Sequence, residues 1–133
     1  VFRQADWVSL HMPMLAESRQ CGNSRTLGLM KPTAFLINTA RGGVVCEPDL
    51  YDALKTRRIA GAGLDVFETE PPGDNPLLTL DNVVATAHTA GVDAKSRDDM
   101  ARAAGLAIAR LIGGEWPADW VVNPAVREAY LRR

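Results

Sequence analysis

The stretch that decides the reading of this 133-residue chain is "FLINTARGGVV", Phe35–Val45. An apolar, β-prone segment runs into a fixed cation, Arg41, and then two glycines. Apolar runs of this length bounded by turn residues read as buried strands. A cation placed directly after one asks for a partner. The neighbouring segments repeat the pattern. Asp6–Met12 ("DWVSLHM"), Ala34–Ala40 ("AFLINTA"), Ile59–Phe67 ("IAGAGLDVF") and Asn82–His88 ("NVVATAH") are strand-like. Between them lie helical segments. Ser24–Met30 is short, with Ser24 as its N-cap. Glu47–Arg58 has Pro48 in its first turn, acids at its start and bases at its end. A long helix is expected from Asp93 to Ile112, with Met100, Ala104, Ala107, Ile108 and Leu111 as its buried stripe, closed by Gly113-Gly114.

Alternation of strand and helix through short loops predicts a parallel sheet with helices over both faces. In such sheets ligands bind outside the carboxyl ends of the strands. Those ends carry His11-Met12-Pro13, then Thr39-Ala40-Arg41-Gly42-Gly43, then Asp65 with Glu68 and Glu70 beyond it, then His88-Thr89-Ala90-Gly91. The glycines of Ile59–Phe67 mark a close approach. Taken singly, Arg41 is a surface charge, His88 a satisfied core histidine and Glu70 a solvated loop acid. Together on one sheet edge they suit a definite chemistry. Arginine grips a carboxylate with a planar fork, histidine exchanges a proton near neutral pH, and a glutamate orients the imidazole and favours its charged form. None of them supplies an electron pair, so a hydride cofactor is implied.

Bulk properties narrow the field. Net charge is −1, with 47% hydrophobic and 23% charged residues. That balance gives no electrostatic case for nucleic acid or an anionic membrane. Cys21 and Cys46 form no C-x-x-C, and no metal site is expected. They read as two reduced thiols in a cytoplasmic protein.

"LINTARGGVV", "GAGLDVFETEPP" and "NVVATAHTAG", preceded by "ADWVSLHMPM" and followed by "VVNPAV", resemble the signature blocks of the D-isomer-specific 2-hydroxyacid dehydrogenases. The resemblance covers nearly the whole chain. It implies an α/β fold, a Rossmann-like doubly wound parallel sheet of which this is the second half only, plus C-terminal helices. Residues 1–112 would be the C-terminal half of the dinucleotide-binding domain, and residues 113–133 a tail returning toward a substrate domain. The implied activity is that of an NAD(P)-dependent D-2-hydroxyacid dehydrogenase, moving hydride between NAD or NADP, with NAD favoured, and a small 2-keto or 2-hydroxy acid. Arg41, Glu70 and His88 would be catalytic: Arg41 on the substrate carboxylate, His88 as the acid or base, Glu70 as its partner. His11, Met12, Pro13, Thr39, Ala40, Arg41, Asp65, His88, Ala90 and Gly91 would line the cofactor, with Asp65 near the nicotinamide carboxamide. Gly42-Gly43 would leave room for the chain to turn beside the ligand. A homodimer is the implied assembly. Similar corepressors keep the same Arg–Glu–His set and sense dinucleotides while binding protein partners. That second reading, and a third in which the chain is an inactive relic, stay open at this point.

The chain departs from the family pattern in Thr89 after the histidine, in Asp93 where a threonine commonly opens the long helix, and in "CGNSRTLG". It also has no G-x-G-x-x-G; "GAG" at Gly61–Gly63 lies within a strand. The expectation is that Val1 continues a longer protein carrying the glycine-rich loop and the substrate domain. On that expectation the 133-residue chain expressed alone aggregates, dimerises or is poorly stable, and catalyses no turnover. Ketoacid-dependent NADH oxidation by the purified 133-residue chain would overturn the expectation.

Overall fold

A computed structural model describes residues 1–132. The chain forms two compact units, Val1–Ala90 and Gly91–Arg133. The first holds four parallel strands in sequence order: β1 (Trp7–Leu10), β2 (Phe35–Asn38), β3 (Gly61–Leu64) and β4 (Val83–Ala85). Each is shorter than the apolar run that announced it. Polar side chains take over the backbone's hydrogen bonding at the strand ends: beyond β2, the Ala40 amide donates to the Asn38 Oδ1 at 3.1 Å rather than to a neighbouring strand. Among the described residues β1 has one strand neighbour, β2, and so forms a sheet edge.

Between the strands lie α1 (Ser24–Leu27) and α2 (Glu47–Lys55). Asn23, not Ser24, caps α1. Its side chain accepts from the Arg25 and Thr26 amides, and Thr26 answers by accepting from the Asn23 amide, a reciprocal capping box. The Ser24 amide donates instead to Asp49 at 2.7 Å. α2 stops before Arg58 because Arg57 turns left-handed (φ 55°). The Arg58 and Arg57 amides then close back on the Ala53 and Leu54 carbonyls at 2.8 and 3.1 Å. A glycine normally marks that ending, and here there is none.

Within the first unit, taken by itself, helices pack on one face of the sheet. Burial alternates along β1 and β2. Val8, Leu10, Leu36, Ala62 and Leu64 enter a core with Leu27, Leu50, Leu54 and Leu77. The opposite face carries Trp7 stacked on Phe35 (centroids 4.5 Å apart), with Trp7 63% and Val84 70% exposed. The strands read as continuous apolar runs because both faces are apolar, although helices of this unit cover only one. Gly61 and Gly63 do mark a close approach. A Cβ on them would come within 2.9 and 3.0 Å of the Phe35 and Ile37 side chains.

In the second unit Asp93 caps α3 (Ala94–Ile112), accepting from the Ser96 amide at 3.0 Å. The apolar stripe on α3 is present but not buried: Met100 and Ile108 are each 59% exposed, and none of the helix's residues is buried. Among the described residues of this unit, the tail lies against the C-terminal end of α3. Arg110 sits over Trp120 at 4.9 Å, the Tyr130 hydroxyl donates to the Leu111 carbonyl at 3.3 Å, and Trp116 meets Tyr130 at 6.0 Å. The last helix, α4 (Arg127–Leu131), carries that tyrosine. No helix among the described residues is long and apolar enough to cross a membrane.

Gly42 is the most closely packed glycine of the first unit. A Cβ there would lie 1.9–2.3 Å from the Phe67 carbonyl and the Glu68 amide, which are backbone and cannot rotate away. Gly42→Ala is expected to cost about 3 kcal/mol or more, the upper range of overpacking. Gly105→Ala, in α3 with nothing within 4 Å of the new methyl, is expected to gain about 0.5–1 kcal/mol of helix propensity. Urea unfolding of both variants checks the contrast; equal effects would refute it.

Candidate active site

The carboxyl ends of the four strands converge through a small set of hydrogen bonds. Asn38, fully buried at the end of β2, donates from Nδ2 to the Arg41 carbonyl at 3.0 Å and accepts from the Ala40 amide. This fixes the turn that presents Arg41. Asp65, buried past the end of β3, gathers the segment after β4. Its carboxylate accepts from the Thr86 hydroxyl, the Thr89 amide (2.8 Å) and the Ala90 amide (2.9 Å), and its carbonyl accepts from the His88 amide (2.9 Å). His88 sits at φ 55°. That left-handed conformation costs a side-chain-bearing residue roughly 1–2 kcal/mol, and the flanking bonds to Asp65 hold it there.

His88 Nδ1 lies 2.8 Å from Glu70 Oε2, while Glu70 Oε1 accepts from the Phe67 amide at 3.1 Å. The hydrogen bonds from His88 and from the Phe67 amide hold the Glu70 carboxyl below its usual range. It is therefore an anion at neutral pH, and Nδ1 carries the proton it accepts. The imidazole's other nitrogen, Nε2, is left to exchange a proton. Burial pushes the Asp65 carboxyl up, but the Thr86 hydroxyl, the Ala90 and Thr89 amides and the His88 charge outweigh it and bring it below the ordinary value.

A cavity of about 420 Å³ is lined by Met14, Arg19, Arg41, Gly43, Glu70 and His88, among others. It thus joins the three residues expected to be catalytic. A second cavity of about 490 Å³ is lined by His11, Met12, Pro13, Thr39, Ala40 and Arg41, with Met14. The two share Met14 and Arg41. Asp65 lies with Thr86 and His88 along a smaller cavity of about 150 Å³, and its carboxylate is taken up by its own chain. Gly91 opens the second unit. A larger cavity, about 600 Å³, lies by Glu47, Tyr51 and Asp74 and includes neither Arg41 nor His88.

The two glycines after Arg41 line the cavity of Arg41 and His88 and let the chain pack closely beside it: a Cβ on Gly42 would meet the Phe67–Glu68 backbone, and one on Gly43 would lie 2.8 Å from the Met14 Cε. Three residues escaped the sequence reading. Asn38 was visible as a polar residue ending an apolar run, and buried polar groups have partners. Glu47 accepts from the Glu68 amide (2.6 Å) and from Asn75 Nδ2 (2.7 Å), anchoring the loop that carries Glu70. In the sequence it looks like an ordinary first-turn acid of α2. Arg19, in a loop with no periodicity, gave no signal.

Residues 1–90 match the family described as D-isomer specific 2-hydroxyacid dehydrogenase, NAD binding domain. The chain belongs to the D-isomer specific 2-hydroxyacid dehydrogenase family. It is 44% identical over 125 residues to the D-3-phosphoglycerate dehydrogenase of Methanocaldococcus jannaschii, covering 91% of this chain and 23% of that protein. It is 43% identical over 128 residues to the glyoxylate reductase of Korarchaeum cryptofilum, covering 96% and 39%. Its fold superposes with a TM-score of 0.81, at 31% identity, on the NAD-complexed D-isomer specific 2-hydroxyacid dehydrogenase of Lactobacillus delbrueckii ssp. bulgaricus, covering 88% of this chain and 40% of that one. The chain thus spans well under half the length of these dehydrogenases. The parallel sheet with its covering helices is the Rossmann-like NAD-binding fold of the family.

Asp65→Asn keeps one acceptor oxygen and turns an NH2 group toward a donor. It is expected to cost about 1–3 kcal/mol at neutral pH, the cost of a buried group left unsatisfied. Because the folded Asp65 value is depressed, the stability it contributes is present above the unfolded value and is lost as pH falls through the folded one. Stability measured from about pH 5 down to about pH 3 should therefore fall less steeply in Asp65→Asn than in the parent. Parallel curves would refute the role given to this carboxylate.

Proposed function

We propose that this chain is the catalytic edge of an NAD(P)-dependent D-2-hydroxyacid dehydrogenase, reducing a 2-keto acid or oxidising the corresponding 2-hydroxy acid. The observation that carries the reading is the His88–Glu70 pair, 2.8 Å apart, on the wall of the cavity that Arg41 also lines. Arg41 makes no ion pair with a carboxylate of its own chain among the described residues, and its one side-chain hydrogen bond goes to the Ala40 carbonyl. A planar guanidinium so placed binds a substrate carboxylate. His88 gives the proton of Nε2 to the C2 oxygen as the ketone is reduced, and takes it back in the opposite direction. Glu70 fixes the tautomer and stabilises the imidazolium.

The groove of His11, Met12, Pro13, Thr39 and Ala40 fits a nicotinamide dinucleotide. It is roomy, runs into the substrate cavity at Met14 and Arg41, and lies at the carboxyl ends of β1 and β2. A bound nicotinamide cofactor supplies the hydride that no residue here can. Asp65 holds the His88 turn and stands, with His88, at the nicotinamide end of the cofactor. The division into residues 1–112 and 113–133, NAD as the favoured cofactor, a homodimer and a cytoplasmic setting complete the proposal. Free thiols at Cys21 and Cys46 agree with a reducing compartment.

The test is steady-state kinetics on the protein as its cells make it, with a panel of 2-keto acids and either NADH or NADPH. His88→Gln is expected to lower kcat by about 10²–10⁴-fold. Arg41→Ala is expected to raise KM for the acid by about 10-fold or more, the worth of a lost charge-assisted contact. A parent protein silent on every acid with both cofactors, or a His88→Gln variant with full kcat, would sink the proposal.

A further inference from the structure

Arg19 lines the same cavity as Arg41 and His88, and it is surplus to the mechanism above. Among the described residues, Arg19 makes no side-chain hydrogen bond or ion pair. Its position is nonetheless built. The buried Ser18 donates to the Pro13 carbonyl at 2.6 Å and accepts from the Leu15 amide at 2.8 Å, closing the turn that precedes it. The Gln20 amide donates to the Gly43 carbonyl at 2.9 Å, and the Gly22 amide to the Val44 carbonyl at 3.1 Å. The loop bearing Arg19 is thereby stitched to the turn bearing Arg41. Two arginines enter one concavity from two segments bonded to each other.

The acids on the same wall do not use them up. Glu70 is engaged by His88 and the Phe67 amide, and Glu68 forms no ion pair among the described residues. A substrate with a single carboxylate satisfies Arg41 and leaves Arg19 idle. We propose that Arg19 is a second anion anchor and that this cavity selects 2-keto or 2-hydroxy acids carrying a second anionic group, a carboxylate or a phosphoryl. The inference rests on the reading of the site given under Proposed function. It names a specificity residue for that reaction, not a further catalytic one. Arginine suits the task because its fork meets either oxyanion bidentately and keeps its charge at any working pH.

The experiment compares kcat/KM for acids with one charge (glyoxylate, pyruvate) and with more (oxaloacetate, 2-ketoglutarate, a phosphorylated 2-keto acid), in the protein as its cells make it and in Arg19→Ala and Arg19→Lys. The parent should prefer at least one of the more highly charged acids. Arg19→Ala should lower the ratio of that acid over the singly charged ones by about 10- to 100-fold, mainly through KM, and Arg19→Lys should recover part of it. The separate carboxylate and phosphoryl arms show which oxyanion Arg19 meets. An unchanged ratio overturns the proposal. So does an equal loss on every acid, the signature of Arg19 merely neutralising Glu68 or holding its loop. A parent that reduces only singly charged acids overturns it too while leaving the dehydrogenase reading intact, whereas a parent silent on all acids overturns both.

Discussion

The buried carboxylate of Asp65 is the constraint on which the site depends. One residue at the end of β3 accepts a hydroxyl and two amides from the segment after β4, while its own amide donates to the Asn38 carbonyl at the end of β2. Three strand ends meet in it. A carboxylate removed from water is costly unless every lone pair is used, and here several donors use them. The arrangement leaves little freedom: if the segment after β4 shifts, a buried charge loses its partners. That is the physical reason a histidine can be held left-handed at this position.

The sheet supplies the rest by a chain of close approaches. Gly42 lets the turn after β2 touch the Phe67–Glu68 backbone, and Glu47, from the first turn of α2, grips the Glu68 amide on the far side of that contact. The loop that carries Glu70 is therefore held between the Arg41 turn and the start of α2. Arg41 and Glu70 are 29 positions apart in the chain, and their common cavity follows from these contacts.

How much of this was legible depended on whether a residue's task was local. The parallel sheet, the placement of Arg41, Glu70 and His88 at or beyond strand ends, and the Asp93 cap follow from periodicity and short-range chemistry, which a sequence displays directly. The ends of elements were less legible, because they are set by side chains standing in for backbone partners. Asn38 ends β2, and Arg57 ends α2 in a conformation usually left to glycine. What covers the second face of the sheet and the stripe of α3 is less legible for another reason. Periodicity identifies an apolar face, but what covers it is a property of tertiary neighbours. Arg19 and Glu47 were invisible because each acts across a gap in sequence: Arg19 shares a cavity with Arg41, and Glu47 holds Glu68.

The energetics of the His88–Glu70 pair argue for its purpose. Both side chains are more than a third exposed, and an ion pair in that setting contributes little to folding. The left-handed turn at His88 costs as much or more. Folding stability alone gives no reason to hold an exposed imidazole against an exposed carboxylate at hydrogen-bond distance, with a buried aspartate fixing one and the Phe67 amide steadying the other. A local structure that is neutral or unfavourable in itself, and is over-determined by buried hydrogen bonds around it, is what a preorganised proton-transfer group requires. The buried residues Asp65 and Asn38 hold the turns, and Arg41, Glu70 and His88 stand exposed on one cavity wall, the disposition that the proposed proton transfer needs.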